Sequence, residues 1–362
     1  MWLDDRLNEC ERHILATLCR GQRLMGESLL LKSSMDWGQV RSALSEVFAS
    51  KTEYEHIVLA GDIEGLNSNL GSEFLSQFEF SAFPMDQAVA GLEDLLTASS
   101  PASIFVVFIE EFAQSILPVV DYCSRKDMKW LATGGYDVGG FLYDDPMVMH
   151  SLRESFHEQG QNGYLKVEDP GTIGDYANLC QALSTISHLD GDVVECGCFN
   201  GSSSGVMLDY YNFKDFPKRT FHFFDVFSGF DYEEAMTSTD TLWAGTHKSD
   251  GYEVVKARLE AKHGKNVVNV KVSNVITDDF LDGIDKIALA NLDVDILEAV
   301  EVGLMKLAPK IVPGGILICE DAGHTPILIG ARLALERFLK TDIAKGFVPI
   351  FMESGQVFLV KR

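Results

Sequence analysis

The chain has 362 residues, 54 of them acidic and 30 basic, with a formal charge of −24 and a hydrophobic fraction of 46%. That length holds two domains of ordinary size with a packed core in each, and the negative field repels phosphate backbones and anionic headgroups, so neither nucleic acid nor a membrane surface is expected as a partner. Seven cysteines without a Cys-x-x-Cys pair, and the charged start WLDDRLNECER in place of a signal peptide, point to a reducing, cytoplasmic setting.

From Leu3 to about Ala49 apolar residues recur at helical spacing (Leu7, Ile14, Leu18, Leu29, Val40, Leu44), which predicts two or three helices. Strands at His56–Ala60, Ser103–Ile109 and Lys129–Ala132 alternate with helical stretches, a small α/β unit of about three strands. Gly61 and Gly65 follow the first of them, but no third glycine or downstream acid supports nucleotide binding there. Glycines at 134, 135, 139 and 140, with Asp144, Asp145 and Pro146, mark a boundary. Residues 1–150 are therefore expected to form an N-terminal helical and small α/β domain that recognises a substrate or mediates homo-oligomerisation, and residues 151–362 the second domain.

An amphipathic helix at Thr172–Leu189 delivers the chain to DVVECGCFNGSSSG, residues 192–205. A short buried strand there runs into a turn with Gly197 and Gly201 and then a Ser-rich helix start. Glycines let backbone N–H groups approach a nucleotide-like ligand, and Glu195 at the strand's end can accept hydrogen bonds from it. The spacing Glu-x-Gly-x-x-x-Gly departs from the dinucleotide fingerprint. Further βα steps follow, with strands at Thr220–Phe224, Val267–Val272, Lys286–Asn291 and Ile316–Cys319, the last entered through a turn at Pro313-Gly314-Gly315. A hairpin, Val348–Met352 and Gln356–Val360, closes the chain. The expected fold is a doubly wound, mostly parallel Rossmann-like α/β sheet with a C-terminal antiparallel hairpin, an arrangement that resembles class I methyltransferases.

Ligands in open parallel sheets sit beyond the carboxyl ends of the strands. Asp225, one βα step after Glu195, is placed to accept from the hydroxyls of a ribose. Asp293, Glu320 and Asp321 lie at two further strand ends, where unpaired carboxylates would repel one another; a hard cation such as Mg²⁺ would resolve that conflict and could activate a substrate hydroxyl. Asp295 is read as a cap for the helix beginning at Ile296. His324 and His247 are candidates for proton removal, and His222, alternating within an apolar strand, reads as a sheet-face residue.

Four segments in order, GDVVECGCFNGSSS, FHFFDVFSGF, IALANLDVDILEAV with APKIVPGGILICED, and GARLALERFL, resemble the macrocin O-methyltransferase family over residues 169–362. The resemblance implies an S-adenosylmethionine-dependent transfer to a sugar or phenolic hydroxyl of a small-molecule natural product. It places the methyl donor on Glu195, Gly197, Gly201 and Asp225, with Asp278, Asp279 and Phe280 near the adenine, and implies Mg²⁺ on Asp293, Glu320 and Asp321. The family commonly has Asp-Asp-Tyr where this chain has Glu320-Asp321-Ala322, and a proline where the residue after Phe230 is Asp231. Two alternatives are an NAD-dependent oxidoreductase, disfavoured by the missing third glycine and the closing hairpin, and a non-catalytic S-adenosylmethionine-binding module, disfavoured by the acids at successive strand ends.

Overall fold

The structure is a computed structural model that describes residues 37–49, 54–110, 113–133, 141, 145–161, 170–214, 216–238, 240 and 243–362. The helices expected before Trp37, and the boundary glycines at 134, 135, 139 and 140 with Asp144, lie outside the described residues. The described chain divides into two units, one ending at Met149 and one running from His150 to Arg362.

The first unit contains α1 (Trp37–Ala49), β1 (His56–Gly61), α2 (Ile63–Leu70), β2 (Ser81–Phe83), α3 (Ala88–Leu96), β3 (Ile104–Ile109), α4 (Ala113–Arg125) and β4 (Lys129–Thr133). Its strands are all parallel, in the order β2-β1-β3-β4. Period-two alternation assigns the faces. Ile57, Leu59, Val107 and Ile109 pack with α1, while Val58, Ala60, Val106 and Phe108 pack with Ala88, Leu92, Val119 and Cys123 on the other side. The fourth strand, β2, escapes sequence reading because it is three half-buried residues, too short for an alternation to register.

After α5 (Pro146–Gln161), the second unit comprises α6 (Pro170–Ile186), β5 (Asp192–Cys196), α7 (Ser202–Phe213), β6 (Thr220–Asp225), α8 (Tyr252–Ala261), β7 (Val267–Val272), β8 (Ile287–Leu292), α9 (Leu297–Leu307), β9 (Ile311–Cys319), α10 (Ile329–Phe338), β10 (Phe347–Phe351) and β11 (Val357–Lys361). The sheet order is β10-β11-β9-β8-β5-β6-β7, and only β11 runs against its neighbours. This is the doubly wound, mostly parallel Rossmann-like sheet of the sequence expectation. β8 is buried at all six positions, as a central strand covered on both faces must be. β10 forms the outer edge, where the missing N–H of Pro349 is tolerated. β9 begins at Ile311, so Pro313-Gly314-Gly315 is not the turn expected; the strand runs through it, with a register irregularity opposite Ile287 and Leu289 absorbing the distortion.

The chain winds outward from β5 through β6 and β7, then restarts at β8 and winds the other way. β5 and β8 therefore flank the topological switch point, whose crevice lies beyond their carboxyl ends. Among the described residues, no helix is long and apolar enough to cross a membrane.

Candidate active site

At the end of β5 the chain turns at Gly197, with φ +90°. Gly197 N donates to Phe224 O of β6 (2.8 Å) and Asp293 N, just past β8, donates to Cys196 O (2.9 Å), so three strand ends stay knitted together beyond the sheet. A Cβ at Gly197 would stand 1.5 Å from Asp293 O, which only glycine avoids. Gly201, with φ +81°, precedes α7 and faces the Leu259 side chain; it shapes the turn but does not line the cavity described below. Glu195 is fully buried, accepting from Ser204 Oγ of α7 and from Asn291 Nδ2 of β8 (3.1 Å). Burial raises its carboxyl pKa and these bonds oppose the rise. It braces the turn from beneath and is absent from the cavity lining.

Asp225 ends β6. Its Oδ2 accepts from Phe199 N (2.7 Å) and its Oδ1 from Phe227 N (2.6 Å). Both donors have positive φ, +46° and +58°, so the carboxylate holds two strained backbone segments in place. Burial raises the Asp225 pKa, with the backbone N–H bonds opposing. Each oxygen keeps acceptor capacity for a ligand hydroxyl.

Asp293, Asp295 and Asp321 each bring a carboxylate oxygen to one point, all within 4.8 Å of one another. Asp295 is not the cap expected: the N-cap position of α9 is Ile296, with no side-chain cap bond, and Asp295, at φ +54°, donates its backbone N–H to Asp321 Oδ2 (3.2 Å). Glu320 turns instead to a second group with Asp175 of α6 and His324, again within 4.8 Å. The expected trio of Asp293, Glu320 and Asp321 spans two adjoining groups, with the side chains of Glu320 and Asp321 hydrogen-bonded to each other and the charge of Asp293 facing Glu320. Burial, then the charge of Asp321, pushes Asp293 and Asp295 well above the usual carboxylate range; burial, then the charge of Asp175, does the same to Glu320. The Asp293 group offers only anionic oxygen, a donor set that fits a hard divalent cation such as Mg²⁺.

A cavity of about 240 Å³ opens over these strand ends. Gly197, Phe199 and Asp225 form one side, Ser273, Asn274 and Val275 a second, Asp293 and Asp295 a third, and the loop residues Phe230, Tyr232 and His247 close it. His247 stands edge-on to Trp243, Phe230 and Phe199, with ring centroids 4.8, 5.6 and 6.0 Å away. Thr246 Oγ1 spends its one hydrogen on Trp243 O (2.6 Å) and lies 2.7 Å from His247 Nδ1. Nδ1 must then carry the proton it donates to Oγ1, which leaves Nε2 as the ring's lone pair. Burial lowers the His247 pKa and keeps the ring neutral.

Of the remaining expected residues, Asp278, Asp279 and Phe280 do not line the cavity. The chain folds back after β7: the Asp278 carboxylate accepts from Asn274 N (2.9 Å) and Ser273 Oγ (3.0 Å). The Asn274 bond foremost holds the Asp278 pKa low. Asp279 is exposed, and Phe280 is buried in the core edge-on to Phe224. The wall itself is Ser273–Val275, secured from behind by Lys306 Nζ, which donates to Val275 O (2.8 Å), Ile276 O (3.1 Å) and Asp278 O (2.9 Å). His324 lies outside the lining, its Nε2 3.8 Å from Asp175 Oδ2. His222 is, as expected, a sheet residue, its Nε2 3.1 Å from Asp192 Oδ2.

Sequence reasoning passed over Asp175 and Tyr176, which α6 brings to the acids from outside any motif; burial, with the charges of Asp293 and Glu195, raises the Tyr176 phenol. It also passed over Phe199 and Tyr232. Phe199 lies within the quoted segment 192–205 and Tyr232 two residues beyond the segment ending at Phe230, so position in or beside those segments was the available signal.

Residues 174–345 match the macrocin O-methyltransferase family (TylF). No curated protein matches the chain. Similar solved structures include the O-methyltransferase NovP (20% identity, TM-score 0.46, 52% of this chain and 80% of that one) and the calicheamicin methyltransferase CalS11 (19% identity, TM-score 0.45, 62% and 97%). Another is cofactor-bound Rv0187 from MTB (15% identity, TM-score 0.38, 62% and 93%). Residues 174–345, which include every residue of the cavity lining, are thus similar to the macrocin O-methyltransferase family, a match that supports a methyltransferase enzyme.

Proposed function

We propose that the protein methylates a hydroxyl of a small-molecule natural product, a sugar or a phenol, using S-adenosylmethionine and a divalent cation, Mg²⁺ by its donor set. The observation that carries this reading is that Asp225, the paired acids Asp293 and Asp295, and the neutral ring of His247 all face one cavity at the switch point of the sheet. S-adenosylmethionine supplies the methyl group when bound. Asp225 would accept from its ribose hydroxyls, the Gly197–Phe199 turn would admit it close to the backbone, and Ser273–Val275 would line the pocket beside it.

Asp293, Asp295 and Asp321 would hold the cation. A bound Mg²⁺ supplies Lewis-acid polarisation of an acceptor hydroxyl. His247 receives the hydroxyl proton at Nε2, its protonated Nδ1 anchored on Thr246, and the rings of Phe230 and Trp243 keep water from the imidazole. Holding donor and acceptor in one cavity replaces a bimolecular encounter by a positioned one. The unit ending at Met149 is assigned to acceptor recognition or self-association.

Calorimetry with S-adenosylhomocysteine, followed by methyl-transfer assays on glycosylated and phenolic acceptors with and without a chelator, tests the reading. Binding that Asp225→Asn weakens, together with transfer lost on chelation, supports it; absence of S-adenosylhomocysteine binding, or transfer at full rate in chelator-stripped protein, overturns it.

A further inference from the structure

His247 stands at φ +56°, a conformation that a residue with a side chain keeps only where its neighbours impose it. On the near side the neighbours are backbone. Phe230 N donates to Thr246 O (2.9 Å), and Gly229 lies so close that a Cβ there would stand 2.3 Å from Thr246 O and 2.8 Å from Lys248 N. Ser249 Oγ donates to Phe227 O (2.9 Å). The far side is held by a charge. Arg258, in the second turn of α8, points back toward the helix N-terminus as helical side chains do. Its guanidinium spans two segments: Nη1 donates to Asn200 O in the β5–α7 turn (2.6 Å) and Nη2 to Asp250 Oδ2 (3.1 Å). Asp250 N in turn donates to Asn200 Oδ1 (2.8 Å). Asn200 is buried, and the side chains of Arg258 and Asp250 are 19% and 24% exposed, so water competes only in part for these bonds.

We propose that Arg258 is a positioning residue for His247: by bridging Asn200 and Asp250 it joins the His247 loop to the turn that borders the donor pocket, and so fixes where Nε2 stands relative to the bound methyl donor. The inference rests on the proposed function, in which His247 receives the acceptor proton. A fork is needed here, because two oxygens on different segments must be met at once. A guanidinium presents its donors in one fixed plane, whereas an ammonium is a single point charge. The same turn carries Phe199, whose N–H is held by Asp225 and whose ring meets His247 edge-on at 6.0 Å, so donor pocket and base are joined on two sides. Arg258 itself does not line the cavity. Its effect on the chemistry therefore passes through the loop: without the bridge, Asp250 and the residues before it are held from the Phe227–Phe230 side alone.

Nitrogen NMR on the full chain, isotope-labelled at histidine and saturated with S-adenosylhomocysteine, tests this with no acceptor present. The His247 ring signals, identified by their loss in His247→Gln, report which nitrogen carries the proton. In the wild type they should show one neutral tautomer, protonated at Nδ1. Arg258→Met should leave S-adenosylhomocysteine affinity within about twofold in calorimetry while moving the His247 signals toward a mixture of tautomers, and Arg258→Lys should restore them only in part. The retained affinity reports that Arg258→Met is folded; should it not fold, Asp250→Ala, which removes one anchor of the bridge, carries the same expectation. His247 signals unchanged in both Arg258→Met and Asp250→Ala, with the donor analogue still bound, overturn the positioning role. An affinity that falls about tenfold or more also overturns it, because the bridge then serves the donor turn itself. Wild-type protein that binds no S-adenosylhomocysteine overturns the proposed function and this inference with it, an outcome distinct from both of the others.

Discussion

His247 concentrates several requirements of a base in one residue: its ring lines the cavity, its tautomer is set by Thr246, and burial among aromatic rings disfavours the charged form. Because the folded pKa is depressed, the folded state takes up this proton only below the ordinary histidine value of about 6.5. The stability linked to this ring is therefore complete above that value and is lost as the pH falls through it toward the depressed folded value. The acid limb of kcat/KM should likewise lie below pH ~6.5, and His247→Gln should flatten it while lowering kcat by about 10²–10⁴. An acid limb that survives the substitution assigns the proton to another group. Asp225 makes a second, independent case, since Asp225→Ala removes the proposed ribose acceptor and strands the N–H groups of Phe199 and Phe227. S-adenosylhomocysteine affinity should fall by about 1.5–3 kcal/mol in calorimetry, and an unchanged affinity would remove the ribose role.

Among the elements, the β5–α7 turn sets the spacing of the site, because Gly197 lets the ends of β5 and β8 approach until Asp293 O occupies the place of a side chain. Gly197→Ala must either move the β8 end or strain a positive-φ position, at a cost of about 1–3 kcal/mol for the backbone alone. A lowered melting temperature together with weakened donor binding is the expected result of thermal unfolding and calorimetry. Gly346→Ala, at a glycine with open space around its Cβ and no positive φ, serves as a control expected to change neither. The Lys306 contacts to Val275, Ile276 and Asp278 act on the opposite wall. Lys306→Met should raise KM for the donor more than it lowers kcat, because on the proposed function this wall would bind the donor without reacting.

For the molecule as a whole, the family match favours a methyltransferase over the oxidoreductase and non-catalytic readings, and on the proposed function the cation would bind only the folded chain, where the acids are brought together. A ligand present at 100 times its Kd stabilises by about 2.7 kcal/mol. Mg²⁺ should therefore raise the melting temperature of chelator-stripped protein, and Asp321→Asn should shrink that rise; equal shifts in both proteins would place the ion elsewhere. A chain beginning at Asp145, whose carboxylate accepts from Met147 N at the start of α5 (3.0 Å), retains every residue proposed to bind the donor. It should bind S-adenosylhomocysteine as the full chain does, with any deficit confined to acceptor turnover or oligomeric state. Failure of this folded fragment to bind the donor would contradict the assignment.

The sequence by itself determined the parallel strands, the acids at their carboxyl ends and the closing hairpin, because hydrophobic period, glycine turns and strand-end position are local properties. The same locality explains why Glu195, Asp225 and Asp293 could be collected as one set before any distance was known. Partnership was decided only by the tertiary structure. Glu195 and Asp225 look alike as strand-end acids, yet the first is enclosed by Ser204 and Asn291 while the second faces the cavity. Glu320 and Asp321 are adjacent in the chain and bonded to each other, yet each also joins its own group, and Asp175, more than a hundred residues earlier, completes one of them. Which carboxylates crowd each other depends on how α6 and the β10–β11 turn pack against the strand ends, and such long-range contacts leave no periodic trace in the residues that make them.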